Sequence, residues 1–254
     1  HQSVLGGEPA GDVSEGISLD RIAELVTLTA TITDLDGDVD QAYIDLGKQL
    51  SFLDDGPSIS LEGIAQADLL DVDETVLATN DSASFADNFA AAISYGADGA
   101  GTTTYVFTLS GTDVGSGLYA LNAGNPLLPG TQIVLNINAA GDTITGTAGG
   151  QTYFTISLNK ATGEVTFDQV KALWHANEAN ANDVSTLTTA NATDLAIRAI
   201  VTDADGDQTQ ASISLGAGVF SVYDDGPSIT LGSLGAADLL DVDETVLATN
   251  DSAS

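Results

Sequence analysis

The stretch LVTLTATIT, residues 25–33, alternates apolar and polar side chains from Val26 to its end. The apolar positions are Val26, Leu28, Ala30 and Ile32, and threonine fills the positions between them. Such alternation predicts a half-buried β-strand, because successive side chains of a strand point to opposite faces of the sheet. We therefore predict that this stretch is a strand whose apolar face belongs to a hydrophobic core.

A second copy of this strand lies 169 residues further along the chain, where LAIRAIVTD occupies residues 195–203. Its apolar positions Leu195, Ile197, Ala199 and Val201 keep the same face. Similar alternation occurs around residues 42–46, 105–109, 133–137 and 154–158, with Gly, Asn and Asp at the breaks. Short strands separated by such turns favour an all-β fold built as a β-sandwich. Residues 84–93 and 167–174 have apolar side chains at helical spacing, which predicts one or two helical turns in each.

A longer repeat surrounds these strands. The segment DDGPSISLEGIAQADLLDVDETVLATNDSAS, residues 54–84, returns at 224–254 with 25 of 31 positions identical. A fixed period of about 170 residues is typical of a repeat array. We predict one complete repeat at 55–224, the C-terminal part of a preceding repeat at 1–54 and the N-terminal part of the next at 225–254. A division into 1–84, 85–174 and 175–254 is the alternative.

The charge of the chain restricts its partners. It has 37 Asp and Glu against 5 Lys and Arg, a net charge of −32. A protein that binds a phosphate backbone needs clustered basic side chains, so nucleic acid is excluded as a partner. No apolar run approaches the roughly 18 residues of a membrane span, and we expect no membrane insertion. The chain has no cysteine, so disulfides do not stabilise it.

The acidic side chains gather in three kinds of short cluster, each present twice: TDxDGD, DDGP and LLDVDET. Carboxylates two residues apart around a glycine turn can direct their oxygens to one point, and Ca²⁺ accepts six to eight oxygen ligands. A lone Asp-Gly turn needs no metal, but repeated clusters in a chain nearly free of basic side chains favour calcium. The predicted ligands are Asp34, Asp36, Asp38, Asp54, Asp55, Asp71, Asp73, Glu74, Asp203, Asp205, Asp207, Asp224, Asp225, Asp241, Asp243 and Glu244.

We expect the DDGP aspartates to join the DxDGD turn of their own copy, and the DVDET groups to join at the junctions between repeats. Asp98 and Asp113 are additional candidate ligands. Pro57 and Pro227 stiffen the links, so an ion at a junction could hold two repeats together.

Catalytic motifs are absent from the sequence. It contains no cysteine nucleophile, no HExxH, no GxSxG and no phosphate-binding loop, so we expect no enzyme activity. His175 has a near counterpart in His1, and we predict a structural role for it. Trp174, the single tryptophan, is expected in the core.

The order and spacing of several motifs resemble a known family. TDxDGD, DDGP, LDVDET, YGADG at 95–99, GTDVGSGL at 111–118, TITG at 143–146 and TGEVTFDQVKALWH at 162–175 are similar to the tandem extender repeats of giant repeats-in-toxin (RTX) adhesins, which bacteria export by type I secretion. The glycine-rich nonapeptide calcium repeats of that family are not present.

The resemblance implies Ig-like β-sandwich modules in tandem that calcium stabilises outside the cell. Such a module would be a structural extender of a cell-surface adhesin, in contact with neighbouring repeats, and would hold a distant ligand-binding end away from the cell for attachment or biofilm formation. A ligand-binding module for carbohydrate or protein in the same kind of adhesin is the alternative.

Overall fold

The computed structural model of the chain describes residues 16–18, 26–65, 68–90, 93–227 and 229–233, and β-strands dominate them. The strands are β1 (Gly16–Ser18), β2 (Thr27–Thr33), β3 (Val39–Asp45), β4 (Ser51–Leu53), β5 (Ser58–Ile59), β6 (Leu70–Asp73), β7 (Asp81–Ser84), β8 (Ile93–Ser94), β9 (Ala100–Leu109), β10 (Val114–Leu121), β11 (Pro129–Ile137), β12 (Thr143–Ala148), β13 (Gln151–Leu158), β14 (Glu164–Gln169), β15 (Val184–Thr188), β16 (Leu195–Asp203), β17 (Gln208–Ser214) and β18 (Ala217–Tyr223). The α-helix α1 (Asp87–Ala90) and the 3₁₀ turns Gly47–Gln49, Glu74–Val76 and Ala192–Asp194 complete the elements. The predicted all-β class is confirmed.

The strands form several sheets that pack as a sandwich-like fold. The largest sheet has six antiparallel strands in the order β10-β11-β12-β13-β14-β7. Two three-stranded sheets follow the orders β15-β18-β6 and β17-β16-β9. β18 pairs with β6 in a parallel arrangement. Residues 70–73, near the start of the 55–224 segment, therefore lie directly beside residues 220–223 at its end.

One hydrophobic core lies between these sheets and draws residues from Leu70 to Val222. Aromatic rings connect its layers: the ring of Phe167 lies 5.6 Å from that of Phe154 on β13 and 5.3 Å from that of Phe220 on β18. Both contacts are edge to face, an arrangement that adds to the stabilisation by burial. The core thus joins residues from all three parts of the alternative domain division, and the exact domain boundaries stay a prediction.

A glycine allows one of these rings to lie flat on the sheet. Gly146 on β12 is the cross-strand partner of Phe154 on β13. A Cβ atom at Gly146 would lie 2.4 Å from the Phe154 ring, which is far inside van der Waals contact. The TITG motif therefore places glycine where the phenylalanine ring covers the backbone.

The strands predicted around 25–33, 42–46, 105–109, 133–137, 154–158 and 195–203 are all present, although β3, β9, β11 and β13 begin three to five residues earlier than predicted. The helical turn predicted in 84–93 is confirmed as α1. The prediction for 167–174 is wrong, because Phe167–Gln169 belong to β14 and pair with β13. Burial of Phe167 against Ile156 outweighs the local helical spacing.

The burial prediction holds for one copy of the alternating strand and fails for the other. Leu195, Ile197, Ala199 and Val201 are all buried on β16. Leu28, Ala30 and Ile32 on β2 are exposed, although β2 is a strand as predicted. Alternation fixes which side chains share a face, but a face is buried only where another layer covers it.

Candidate metal centre

The turn TDADGD joins β16 to β17 and holds three aspartates close together. Asp203 is the last residue of β16, and its backbone N–H donates to the carbonyl of Asp207 at 3.1 Å. Its Oδ1 accepts hydrogen bonds from the N–H groups of Gly206 at 3.0 Å and Asp207 at 2.8 Å. Gly206 has φ +112°, a backbone conformation that glycine tolerates best. These bonds fix the loop so that the carboxylates converge.

The second oxygen of Asp203 is available for a cation. Ligand oxygens of Asp203, Asp205 and Asp207 all lie within 4.8 Å of one another. Asp203 is only 3% exposed, and its buried Oδ2 accepts no hydrogen bond from the described residues. Two unit charges at such a distance repel by about 3.5 kcal/mol at an effective dielectric constant of roughly 20. A bound cation would remove this repulsion and satisfy the buried oxygen.

A second group of carboxylates shares Asp205 with the first. Ligand oxygens of Asp54, Asp98 and Asp205 lie within 4.8 Å of one another. Asp54 comes from the first DDGP, Asp98 from the loop before β9, and Asp205 from the β16–β17 turn. The five aspartates of the two groups, Asp54, Asp98, Asp203, Asp205 and Asp207, are called the junction cluster below.

Backbone contacts bring the Asp98 loop to the turn. The N–H of Ala204 donates to the carbonyl of Gly99 at 3.1 Å. At the neighbouring Gly101, a Cβ atom would lie 2.3 Å from the carbonyl oxygen of Thr202 and 2.2 Å from that of Asp203. Only glycine permits this close approach of β9 to the end of β16.

The DDGP link is attached to the same loop. Asp55 Oδ2 accepts a hydrogen bond from the N–H of Ala97 at 2.9 Å. Gly96 (φ +71°) lies so close to the link that a Cβ atom there would be 2.9 Å from the Asp55 carbonyl oxygen. Residues 54–56 therefore pack directly on the loop that carries Asp98. The sequence predicted Asp54 and Asp55 beside the turn of Asp34, but the structure places Asp54 beside Asp98 and Asp205 and Asp55 against Ala97.

The first copy of the turn has the same geometry but is exposed. Asp34 N–H donates to the Asp38 carbonyl at 3.0 Å, Gly37 has φ +99°, and Asp34 Oδ1 accepts from the N–H of Asp38 at 3.0 Å. Ligand oxygens of Asp34, Asp36 and Asp38 lie within 4.8 Å of one another. The side-chain hydrogen bond with Asp36, followed by the N–H of Asp38, lowers the pKa of Asp34. The predicted trio is thus brought together in both copies.

A third kind of group contains a histidine. Glu74, His175 and Asp224 offer ligand atoms within 4.8 Å of one another. Glu74 Oε1 accepts hydrogen bonds from Gln169 Nε2 at 2.8 Å and from the N–H of Leu173 at 2.7 Å, and His175 Nε2 lies 3.4 Å from it. Glu74 therefore ties the start of the 55–224 segment to the loop after β14. The sequence placed Asp224 with the turn of Asp203, but the structure brings it to Glu74.

The acidic surroundings change two pKa values in this group. Burial by itself lowers the pKa of His175, but the hydrogen bond and charge of Glu74, with the charges of Asp224 and Asp183, raise it above its ordinary value of 6.5. His175 Nδ1 lies 3.1 Å from Ser185 Oγ, which fixes the ring. Burial raises the pKa of Asp224, although His175 acts in the opposite direction. The structural role of His175 stays a prediction.

The remaining predicted ligands have other surroundings. Asp73 Oδ1 accepts from the N–H of Thr75 and caps the following 3₁₀ turn, while Asp71 and Asp225 are exposed. Asp241, Asp243 and Glu244 lie outside the described residues. Asp113 is hydrogen bonded to Asn136 through both its N–H and its Oδ1. The GADGAG turn was the sequence signal for Asp98, but nothing in it showed that Asp98 would meet Asp54.

The basic side chains with described positions make their hydrogen bonds elsewhere. Lys160, Lys171 and Arg198 donate to Ala140, Gln151 and Gln210, respectively. The donor set of the junction cluster consists of carboxylate oxygens, which are the ligands preferred by Ca²⁺. The residues present therefore fit a calcium ion, which either trio of the junction cluster would hold, and the two trios share Asp205.

The fold and these groups define a sandwich-like all-β domain with clustered carboxylates. A family model with the description "Domain of unknown function (DUF5801)" matches residues 69–216, which is more than half of the chain. The chain belongs to this family. No curated protein and no solved structure matches this chain. Among the described residues, no helix has the length and apolar character needed to cross a membrane.

Proposed function

We propose that the 55–224 unit is a calcium-stabilised structural extender module of a large bacterial cell-surface adhesin of the RTX type. It acts outside the cell, after type I secretion, as one of several repeats that hold a ligand-binding end of the parent protein at a distance for attachment or biofilm formation. Its partners are the neighbouring repeats of the same chain. No catalysis is assigned to it.

The observation that carries the proposal is the position of Asp54 in the junction cluster. Asp54 precedes the complete unit, whereas Asp98 and Asp205 belong to it, and their ligand oxygens lie within 4.8 Å. An ion held by these three carboxylates would bind the preceding segment to the unit. In a repeat array, the same arrangement would fix each unit relative to the next, because units of an array contact mainly their neighbours.

Burial supports a role for calcium in folding as well. Asp203 and Asp207 are buried, and like charges so close together destabilise the folded chain unless a cation is bound. At free calcium about 100 times the dissociation constant, one ion would add roughly 2.7 kcal/mol to the free energy of unfolding. A chain that is weakly stable without calcium could pass a secretion channel unfolded and fold in the calcium-rich exterior.

Calorimetric titration of the chelated protein with calcium tests the proposal. We expect binding heat, a rise in melting temperature at millimolar calcium, and a much weaker response to magnesium, which requires near-ideal octahedral geometry. Absence of both the heat and the melting shift would refute it. Small-angle scattering with and without calcium then tests the extender role, since the radius of gyration should change if the ion fixes residues 26–53 against the unit.

A ligand-binding module is the alternative, and one observation favours it. The sequence predicts Trp174 in the core, but Trp174 is only half-buried, and its ring lies edge-on to that of Tyr119 at 6.3 Å. A cleft of about 170 Å³ lies beside this pair. Ligand pockets usually measure roughly 300–1,000 Å³, so the cleft would hold only a small part of a sugar chain. Tryptophan fluorescence reports on it directly: a saturable change on titration with oligosaccharides would favour this alternative.

A further inference from the structure

The hairpin β2–β3 is built in the same register as the hairpin β16–β17. Leu28 pairs with Ile44 in the first, and Ile197 pairs with Ile213 in the second. Each of these residues is displaced by 169 positions from its counterpart, and the connecting turns share their hydrogen bonds. The two hairpins are therefore two copies of one structural element.

The surroundings of the two copies differ completely. Leu28 is 59% exposed and Ile44 is 62% exposed, while Ile197 and Ile213 are 0% and 7% exposed. Ile32 is 68% exposed, and its counterpart is fully buried. An apolar face that is a core surface in one copy thus lies open in the other.

The strand β9 shows which strand pairs with the edge of this element in the 55–224 unit. β9 pairs with β16 along its whole length, with Phe107 opposite Ile197 and Tyr105 opposite Ala199. Both aromatic side chains are buried. In the described part of the chain, β2 pairs with β3 alone, so the edge of β2 that corresponds to the β9 side of β16 is open.

We propose that the open edge of β2 is an acceptor site for the β9 segment of another repeat unit. In that pairing, β2–β3 takes the place that β16–β17 has beside β9 in the 55–224 unit. The added strand would run antiparallel to β2, with its Phe107 beside Leu28 and its Tyr105 beside Ala30. The edge supplies backbone hydrogen bonds, and the alternate side chains supply the apolar contact, as in other cases of strand addition.

The charge of the two strands is compatible with this pairing. The segments TLTATIT of β2 and AGTTTYVFTL of β9 contain no Asp or Glu, in a chain with a net charge of −32. These two strands can therefore meet without charge repulsion between their own side chains. The proposal depends on strand pairing alone and stands whether or not the unit binds calcium.

Hydrogen exchange of the full chain, read by mass spectrometry, tests the proposal with a synthetic peptide of residues 99–110. We expect exchange across residues 27–33 to slow at least tenfold at saturating peptide, while exchange in β16 stays unchanged. A control peptide with Tyr105→Asp and Phe107→Asp should have no effect. The Leu28→Asp variant should also abolish the protection, and it should fold normally because Leu28 is exposed.

Four results would overturn the proposal. The first is no protection of residues 27–33, and the second is equal protection by the control peptide. The third is protection that appears without peptide and rises with protein concentration, because β2 would then pair with a different strand of a second molecule. Slowed or quickened exchange in β16 would likewise count against it, since the peptide would be exchanging with the β9 already present.

Discussion

The carboxylates of Asp54 and Asp205 lie in the same cluster, with ligand oxygens within 4.8 Å, although one comes from the first DDGP and the other from the second DxDGD turn. The acidic motifs of one copy therefore do not group only with one another. Instead, Asp54 meets Asp205 from a motif far along the chain, so that one bound cation would contact both.

The two DxDGD turns offer a matched pair of variants for calcium. We expect Asp203→Asn to lose most of the calcium-dependent rise in the free energy of unfolding, about 2.7 kcal/mol at 100 times the dissociation constant. In chelator, the same variant should be more stable than the native chain, because one buried like charge is gone. Asp34→Asn is the control, since Asp34 is exposed and its loss should leave the melting of the 55–224 unit unchanged. Urea unfolding in calcium and in chelator measures both, and equal effects of the two variants would contradict the assignment.

The two hairpins offer a second matched pair. Ile197→Ala should reduce the free energy of unfolding by about 2–5 kcal/mol, because it leaves a cavity in the core. Leu28→Ala should change it by no more than about 0.5 kcal/mol, as is usual for exposed positions. Thermal or urea unfolding of the two variants decides this, and a large loss for Leu28→Ala would show that the β2 face is covered in solution.

His175 should make stability depend on pH. Its pKa is raised in the folded chain by Glu74, with Asp224 and Asp183 adding to the effect, so its contribution is fully present below the unfolded value of 6.5. The contribution is lost as pH rises through the higher folded pKa, with a slope of at most about 1.4 kcal/mol per pH unit. The raised pKa of Asp224 acts in the same direction at lower pH.

Urea unfolding in chelator measures this slope. The pH should run from roughly 5.5 to 8.5, which is about the range in which histidine titrates. His175→Gln should remove it while leaving the far-ultraviolet circular dichroism unchanged. A stability that rises with pH across this range, or a slope that survives in His175→Gln, would show that other groups control the titration.

Gly146 should tolerate no side chain. Gly146→Ala would place a Cβ atom 2.4 Å from the Phe154 ring, so the ring or the strand must move. Overpacking of this kind typically costs about 1–3 kcal/mol. Gly149→Ala is a suitable comparison for the effect of space, because no atom lies within 4 Å of its Cβ position, although its φ of +58° adds some strain. A loss for Gly146→Ala no larger than that for Gly149→Ala would show that the Phe154 ring accommodates the added Cβ atom.

The sequence by itself determined the local features of this protein. Alternation of apolar and polar side chains fixed the strands and the face that their apolar residues share, and Asp-Gly turns fixed the convergence of Asp203, Asp205 and Asp207. These properties depend on residues a few positions apart, so they can be predicted without a tertiary structure. The segment 167–174 is the exception, because pairing of Phe167 with β13 outweighed its helical spacing.

The tertiary structure alone decided which distant elements meet. It placed Asp54 beside Asp98 and Asp205 instead of beside Asp34, brought His175 to Glu74, and buried Ile197 while leaving Leu28 open. The physical reason is that the two hairpins carry the same local information, and burial depends on whether a second layer is present to cover them. Likewise, each carboxylate has the same charge in every copy, and only the packing of the Gly96–Gly101 loop against the β16–β17 turn selects its neighbours.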